Sequence, residues 1–357
     1  MKWKHSRRYF ELQFVYGIKM HAIILAGGKG TRLLPLTEEL PKPLIPVAGM
    51  PMVAHVMNAL IEAGVTDLTF AVSWDTYMPI KACFSHKYKD IVINYSIEDY
   101  PLGSAGAIGK ACELNRPTQS FFVVNADVIT SSSLADMRSV HDSLNTPDPL
   151  VSILLHESEM TGDFGIVELG TGRKVQKFLE KPASGTTSSK MINAGIWIFS
   201  ERVIDRLPTD NFARVEETLF PDLVKDEGGL VGITDDGAYW ADLGTPEALL
   251  AGARYMRHST KPLIHESAVI EVDAEISNSE IGAGTTVSSS TIISNSLIWD
   301  SVTVGSNAKI YDSIIGNNVI IDENARISRA VIGPYAQVSA EFYVRDRAMK
   351  SEKRNRN

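Results

Sequence analysis

The feature that most constrains this chain is a period of 17 residues near its C-terminus. Ile264, Ile281, Ile298, Ile315 and Ile332 are each 17 apart, as are Ile270, Val287, Val304, Ile321 and Val338, and Ile276, Ile293, Ile310 and Ile327. β-Hairpins would instead alternate with period two and carry turn dipeptides such as Asn-Gly. Spacing within a repeat is close to six, as in IGAGTTV and VGSNAKI. The pattern predicts hexapeptide repeats coiled into a short left-handed parallel β-helix over residues 259–344. Each apolar column should point inward and stack on the next coil, because no coil buries its face alone.

Upstream the periodicity is different. Strand-like and helix-like runs alternate from His21 to about Met256. Strands are expected at 21–26, 67–73, 91–95, 121–124, 150–155, 165–168, 175–178 and 194–199. Helices are expected at 51–63, 76–88, 104–114, 134–144, 201–207 and 215–226. This order implies βαβ units and an α/β domain with a Rossmann-like, mostly parallel sheet. The chain has 357 residues, too many for one ordinary domain. The expected division is an N-terminal extension (1–19), an α/β domain (20–258), the β-helix (259–344) and a disordered basic tail (345–357).

Composition removes several function classes. The formal net charge is −8, from 35 basic and 43 acidic residues, whereas nucleic-acid binders usually carry a basic domain. Phosphate binding would then need local cations and backbone N–H groups. The two cysteines, Cys83 and Cys112, form no CxxC pair and are too few for a disulfide framework or a zinc site. No apolar run reaches the roughly 18 residues of a membrane span. The first 19 residues are basic and aromatic without an apolar core, which makes a poor signal peptide. The expectation is a cytoplasmic protein with neither membrane nor nucleic-acid partners.

The densest chemical signal is LAGGKGTRLLPLTEELPKPLIPVAGMP, Leu25 to Pro51. Gly27, Gly28 and Gly30 let backbone approach a ligand and aim N–H groups at anionic oxygens. A Walker loop would need Gly-Lys followed by Ser or Thr, and a dinucleotide fingerprint would need a third Gly where Leu33 stands. Neither fits. Arg32 can hold a phosphate with its planar fork. Lys42 lies between Pro41 and Pro43, which stiffen the backbone around it. Two cations beside a nest of N–H groups suit a polyphosphate. Asp127 ends FFVVNAD, where α/β ligands collect beyond strand C-termini, although it could equally be a helix cap. Asp242 precedes the helix start Thr245-Pro246 by three residues, too far to be its cap.

GGKGTRLLPLT followed by PKP resembles the signature of the nucleotide-sugar pyrophosphorylase (sugar-1-phosphate nucleotidyltransferase) family. The resemblance runs from about His21 to the C-terminus and includes the β-helix. It implies transfer of a nucleotidyl group from a nucleoside triphosphate to a sugar 1-phosphate, releasing pyrophosphate. It implies nucleotide binding by Leu25, Ala26, Gly27, Gly28, Gly30 and Thr31, with Arg32 and Lys42 on the leaving pyrophosphate. It implies Mg²⁺ at Asp127 and Asp242; Mg²⁺ suits one or two carboxylates plus substrate phosphates. In FGIVELG, FLEKP and INAGIWIF it assigns sugar contacts to Gly165, Glu180 and Asn193, and the sugar phosphate to Lys181.

The base pocket is expected at Glu98, Pro101, Gly103 and Ser104, with Ser104 capping the helix that follows. An acidic residue with small neighbours suits the N1–H and N2 donors of guanine. Thymidylyl members usually carry a Gln-containing version. The loop is most similar to that of the guanylyl, mannose-1-phosphate-like branch, so GTP is favoured over UTP or dTTP, although Ser104 replaces the more usual Thr. A non-catalytic homologue would be expected to lose Arg32, Lys42, Asp127 or Asp242, and all four are present. An acyltransferase in the coils would need a histidine base, and only the first coil has one, His265. The β-helix is therefore expected to assemble a homo-oligomer or bind a regulator.

Overall fold

A computed structural model describes residues 20–350 apart from 145–148, 160, 184, 227 and 236. The expected N-terminal extension and residues 351–357 lie outside the described residues. The chain forms two compact units. One runs to Gly28 and then spans His55–Trp240. The other combines Lys29–Ala54 with Ala241 onward.

The first unit holds a ten-stranded sheet. Its strands are β1 (His21–Leu25), β2 (Asp67–Ser73), β3 (Lys87–Tyr88), β4 (Ile91–Glu98), β5 (Phe121–Asn125), β6 (Val151–Glu157), β7 (Ile166–Leu169), β8 (Val175–Leu179), β9 (Met191–Phe199) and β10 (Leu230–Thr234). The chain's helices up to that point are α1 (Met52–Glu62), α2 (Trp74–Phe84), α3 (Gly103–Leu114), α4 (Leu134–Ser143) and α5 (Leu219–Lys225). β1 lies between β2 and β5, parallel to both, and β4 runs parallel to β2. β1 and β5 are buried on both faces, which is why HAIIL and FFVV read as continuous apolar runs. β9 joins antiparallel to β5, β6 and β7. Under it Phe178 and Trp197 pack on Phe220, ring centroids 5.2 and 5.5 Å apart.

Several expected boundaries move. α2 begins at Trp74, because Thr76 is the residue whose hydroxyl accepts from Ser73 N–H, one turn in. It stops before Tyr88 because Ser85 turns to φ 53° and Lys87–Tyr88 pairs with β4. Glu201–Arg206 is a 3₁₀ helix, and the helix expected over 215–226 is α5, Leu219–Lys225. β10, a short apolar run, escapes the periodicity reading.

The second unit carries the coils. Their strands form three parallel sheets, paired at the 17-residue offset: Ile264 with Ile281, Ile270 with Val287, Ile276 with Ile293. This is the left-handed β-helix the columns predict. Ile293, Ile310, Ile315, Ile327 and Ile332 are fully buried. Ile264, in the first coil with no turn stacked beyond it, is 40% exposed. The corners take positive φ, as at Ser290, Asn307 and Asn324, all 58°. Asn, Ser and Gly tolerate that better than bulky residues, which explains the polar punctuation. Inside, Ser279, Ser296 and Ser313 accept in turn from the N–H of Ser296, Ser313 and Ala330 at 3.0–3.1 Å, so the buried hydroxyls are paired. The last coil includes Tyr343–Arg345 and Ala348–Met349, so regular structure passes the expected end at 344. This unit also contains α6 (Pro246–Met256). Among the described residues no helix is long and apolar enough to cross a membrane.

Candidate functional site

In the sheet unit, the Gly-rich turn leaves the end of β1. Leu25 pairs with Asn125, Ala26 N–H donates to Ala71 O at 2.8 Å, and Ala126 N–H donates to Leu25 O at 3.1 Å. Backbone therefore fixes both the turn and the approach to Asp127. Gly27 is needed for space: a Cβ there would stand 3.1 Å from Glu98 Oε1 and 3.5 Å from Ser73 N. A Cβ on Gly28 would meet nothing within 4 Å, so that backbone faces open space.

Glu98 closes β4. Its Oε2 accepts from Leu102 N–H at 2.9 Å. Burial pushes its pKa above the usual carboxylate range, while the Leu102 N–H and Lys110 pull it back. Pro101 is exposed and Leu102 buried. Gly103 has φ 69°, and a Cβ on it would lie 2.4 Å from Ala213 O, so that glycine makes room for the segment at Ala213.

The expected cap at Ser104 is corrected. α3 starts at Gly103, and its N-cap position, Leu102, makes no side-chain cap. Ser104 Oγ instead donates to Glu216 Oε2 at 2.8 Å and accepts from Val215 N–H at 2.9 Å. Glu216 is a residue that sequence reasoning missed; RVEE carries no turn or spacing signal.

Asp127 lies half-buried between β5 and the short strand Val128–Thr130. The cap reading fails here, because Ser133 caps α4, its Oγ accepting from Asp136 N–H at 3.1 Å.

Three of the expected sugar residues meet. A Cβ on Gly165 would stand 3.0 Å from Glu180 Oε2, and Gly165 O accepts from Asn193 N–H at 2.8 Å. Asn193 Oδ1 already accepts from Gly195 N–H (3.1 Å) and Trp197 Nε1–H (2.8 Å). Glu180 is pushed up by burial, then by the nearby Glu216, with Lys181 opposing. Lys181 follows at φ 42°, mostly exposed, its Nζ 3.8 Å from Glu180 Oε1. Nearby is a buttress that no motif announced. Trp240 packs edge-on against Phe164 and donates Nε1–H to Ala194 O at 2.8 Å, while its ring also meets His156, which holds Asp235 at 2.5 Å.

The second unit holds the cations. Gly30 takes φ 61°, and its carbonyl accepts from Thr37 Oγ1 at 3.0 Å. A Cβ there would strike Lys42 Cβ at 2.9 Å. Thr31–Leu33 and Lys42–Leu44 are single 3₁₀ turns. Lys42 is buried to 10% side-chain exposure, with Nζ 3.4 Å from Asp242 Oδ1. Arg32 stands 3.6 Å from Asp242 Oδ2 with its side chain 59% exposed. Asp242 is not a cap: Thr245 Oγ1 accepts from Ala248 N–H at 3.2 Å, with Pro246 in the first position of α6. One deep cation and one accessible fork stand on a shared carboxylate, an arrangement with the chemistry to take an anion of several oxygens.

Comparison with known proteins identifies the family. A family model described as nucleotidyl transferase matches residues 21–259, and one described as GMPPB C-terminal domain matches residues 259–354. The mannose-1-phosphate guanylyltransferase of Mycobacterium tuberculosis is 32% identical over 77% of this chain and 80% of its own. The mannose-1-phosphate guanyltransferase beta-B of Xenopus laevis is 36% identical over 69% of this chain and 68% of its own. A crystal structure of HddC from Yersinia pseudotuberculosis complexed with GMP-PN superposes with a TM-score of 0.55 at 27% identity, covering 66% of this chain and 99% of that one.

Proposed function

The chain belongs to the nucleotidyl transferase family, and from that premise we propose that it makes a GDP-sugar and pyrophosphate from GTP and a sugar 1-phosphate, with mannose 1-phosphate the first candidate. The observation that carries the reading is the grouping of Lys42 and Arg32 on Asp242 in the segment after the Gly-rich turn.

The attacking sugar phosphate is already anionic, so no general base is required. Catalysis then rests on positioning and on charge neutralisation. Arg32 and Lys42 bind the leaving pyrophosphate, and the N–H groups of the Gly27–Gly30 turn hold the triphosphate. Lys181 fixes the attacking phosphate. Glu180 and the amide nitrogen of Asn193 hold sugar hydroxyls, since Asn193 Oδ1 is already engaged. Glu98 accepts from guanine, with Gly27 leaving room for it. Guanine is supported by this acidic acceptor and by the relatives' names.

Asp127 and Asp242 are each proposed as Mg²⁺ ligands. The donors fit the ion chemically, being carboxylate oxygens. Mg²⁺ keeps waters and takes remaining oxygens from substrate phosphates, so one or two aspartates suit it. When bound, it would draw negative charge from the phosphates. Cytoplasmic location and a homo-oligomer are part of the same proposal.

The test is pyrophosphate release from each of five nucleoside triphosphates against a panel of sugar 1-phosphates, with Mg²⁺. Release with GTP, lost in Asp127→Ala, supports the reading. Release with UTP or dTTP alone overturns the guanine assignment, and silence across the panel overturns the enzyme.

A further inference from the structure

The segment that carries Arg32 and Lys42 follows the first strand of the sheet, yet it packs with the coils as part of the second unit. Among the described residues, its contacts with them include three that differ in kind. Pro35 fits against Gly333, where a Cβ would stand 2.8 Å from Pro35 Cγ. Glu38 pairs with Lys350 at 2.9 Å, but Lys350 is 62% exposed, and such pairs contribute little. The third contact is buried. Glu280 Oε1 accepts from Ala48 N–H at 3.2 Å, and Gly49 N–H also bonds to that carboxylate.

The turn is built for this. Ala48 and Gly49 take φ 48° and 79° between the paired strands Pro46–Val47 and Met50–Pro51. A two-residue turn with positive φ at both positions closes a tight hairpin, and its successive N–H groups can converge on one anion. Arg257 completes the lock. Its Nε lies 3.3 Å from Glu280 Oε1, its side chain is 5% exposed, and its other nitrogens donate to the carbonyls of Lys261, Asn278 and Ser279.

The coil itself does not call for a carboxylate here. The strand register aligns Leu263, Glu280, Leu297, Ile314, Val331 and Ala348 in one column, and Glu280 is its single polar member. A charged residue in an apolar column is costly unless it is paired and hydrogen-bonded. Its partners are the hairpin turn and Arg257.

From that turn a continuous run of backbone contacts leads to Lys42. Val47 pairs with Met50, and Pro46 with Pro51. Met52 N–H then donates to Ile45 O at 2.9 Å, and Ile45 N–H donates to Lys42 O at 3.1 Å. We infer that Glu280 is a positioning residue for nucleotidyl transfer: it locks the Ala48–Gly49 turn to the second coil and so sets where Lys42 stands. This rests on the reading of Lys42 as a phosphate-binding cation. It gives the β-helix a part in the reaction beyond assembly.

The experiment uses the full chain with Glu280→Ala, with Glu280→Gln as the milder variant should the first fail to fold, and Lys350→Ala as the control at the exposed contact. Amide hydrogen exchange over residues 42–51 is read first, because it needs no substrate. Steady-state kinetics follow. The inference expects exchange in that segment to speed up in the Glu280 variants. It also expects KM for the nucleoside triphosphate to rise about tenfold or more, since small misplacements of a binding group are amplified in this way. KM for the sugar 1-phosphate should stay put, Glu280→Gln should recover part of the loss, and Lys350→Ala should resemble wild type. Faster exchange with an unchanged nucleotide KM would reduce Glu280 to a structural role and overturn the inference, as would unchanged exchange in a folded variant. A wild-type chain inactive with every nucleotide would sink the proposed reaction instead, and the exchange result would still report on the lock.

Discussion

Lys42 and Asp242, 200 positions apart in sequence, hold each other at 3.4 Å, and Asp242 also faces Arg32 at 3.6 Å. Lys42 is the deeply placed cation of the pair and the less screened from developing phosphate charge. Lys42→Met should therefore lower kcat for pyrophosphate release by about 10²-fold or more, on the scale of a lost preorganised electrostatic contact. Far-UV circular dichroism should be unchanged. A loss under threefold would remove Lys42 from the reaction.

Gly27 makes room for Glu98, its missing Cβ leaving 3.1 Å to Oε1. Gly27→Ala should displace that carboxylate and raise KM for GTP by roughly tenfold, as expected when a hydrogen-bonding group is moved off its partner. KM for the sugar 1-phosphate should not change. Initial-rate kinetics with each substrate varied in turn would decide it.

Gly103 combines positive φ with backbone crowding, since a Cβ would sit 2.4 Å from Ala213 O. Gly103→Ala should destabilise the sheet unit by about 1–3 kcal/mol or more. Thermal melting would show this, and an unchanged Tm would mean that residues 211–215 yield freely.

Ile320 and Ile321 share one two-residue strand, yet Ile320 is 45% exposed and Ile321 is 1% exposed. Ile321→Ala should cost about 2–5 kcal/mol, a typical range for emptying a filled core position. Ile320→Ala should stay within about 0.5 kcal/mol of wild type. Urea unfolding of the two variants compares them directly.

Burial raises Glu280 from 4.5 to about 7, against the pull of Arg257 and the Ala48 and Gly49 N–H groups. The folded state thus keeps a proton that the unfolded chain has already released. The associated stability is fully present below pH 4.5 and is lost as pH rises through about 7. Two to three pH units correspond to roughly 3 kcal/mol. Glu98 and Glu180 are displaced in the same direction, so the informative quantity is the difference from Glu280→Gln. Urea midpoints at pH 5 and pH 8 should fall further in wild type than in that variant. Parallel falls would refute the assignment.

Much of the architecture was readable because it is repetitive. The three Ile/Val columns fix the coil register residue by residue, and Ile264 opposite Ile281 needed no structure to foresee. The parallel centre of the sheet was legible for a similar reason, since strands buried on both faces must be apolar throughout. What stayed hidden depends on partners distant in sequence. Ser104 reads as a helix cap until Glu216 and Val215 N–H claim its hydroxyl. Glu216 follows no spacing rule. Glu280 is the plainest case: it stands outside the three columns read from the sequence, and its meaning lies in a hairpin more than 200 residues upstream. Asp242 was placed correctly as a non-cap because Thr245 and Pro246 are local signals.

The coil pairing has a consequence for how this half of the gene can change length. Strand residues pair with those 17 positions away, and some side chains bond at the same offset, as Ser277 does to Ser294 and Ser289 to Ser306. Inserting one codon in a strand would move every inward side chain of that coil outward and turn its left-handed corner out of place. Adding or removing a whole coil leaves the stacking rule intact. Drift in length should therefore proceed by duplication and excision of entire turns, and the coil, rather than the residue, is the unit that heredity can edit here without penalty to the fold.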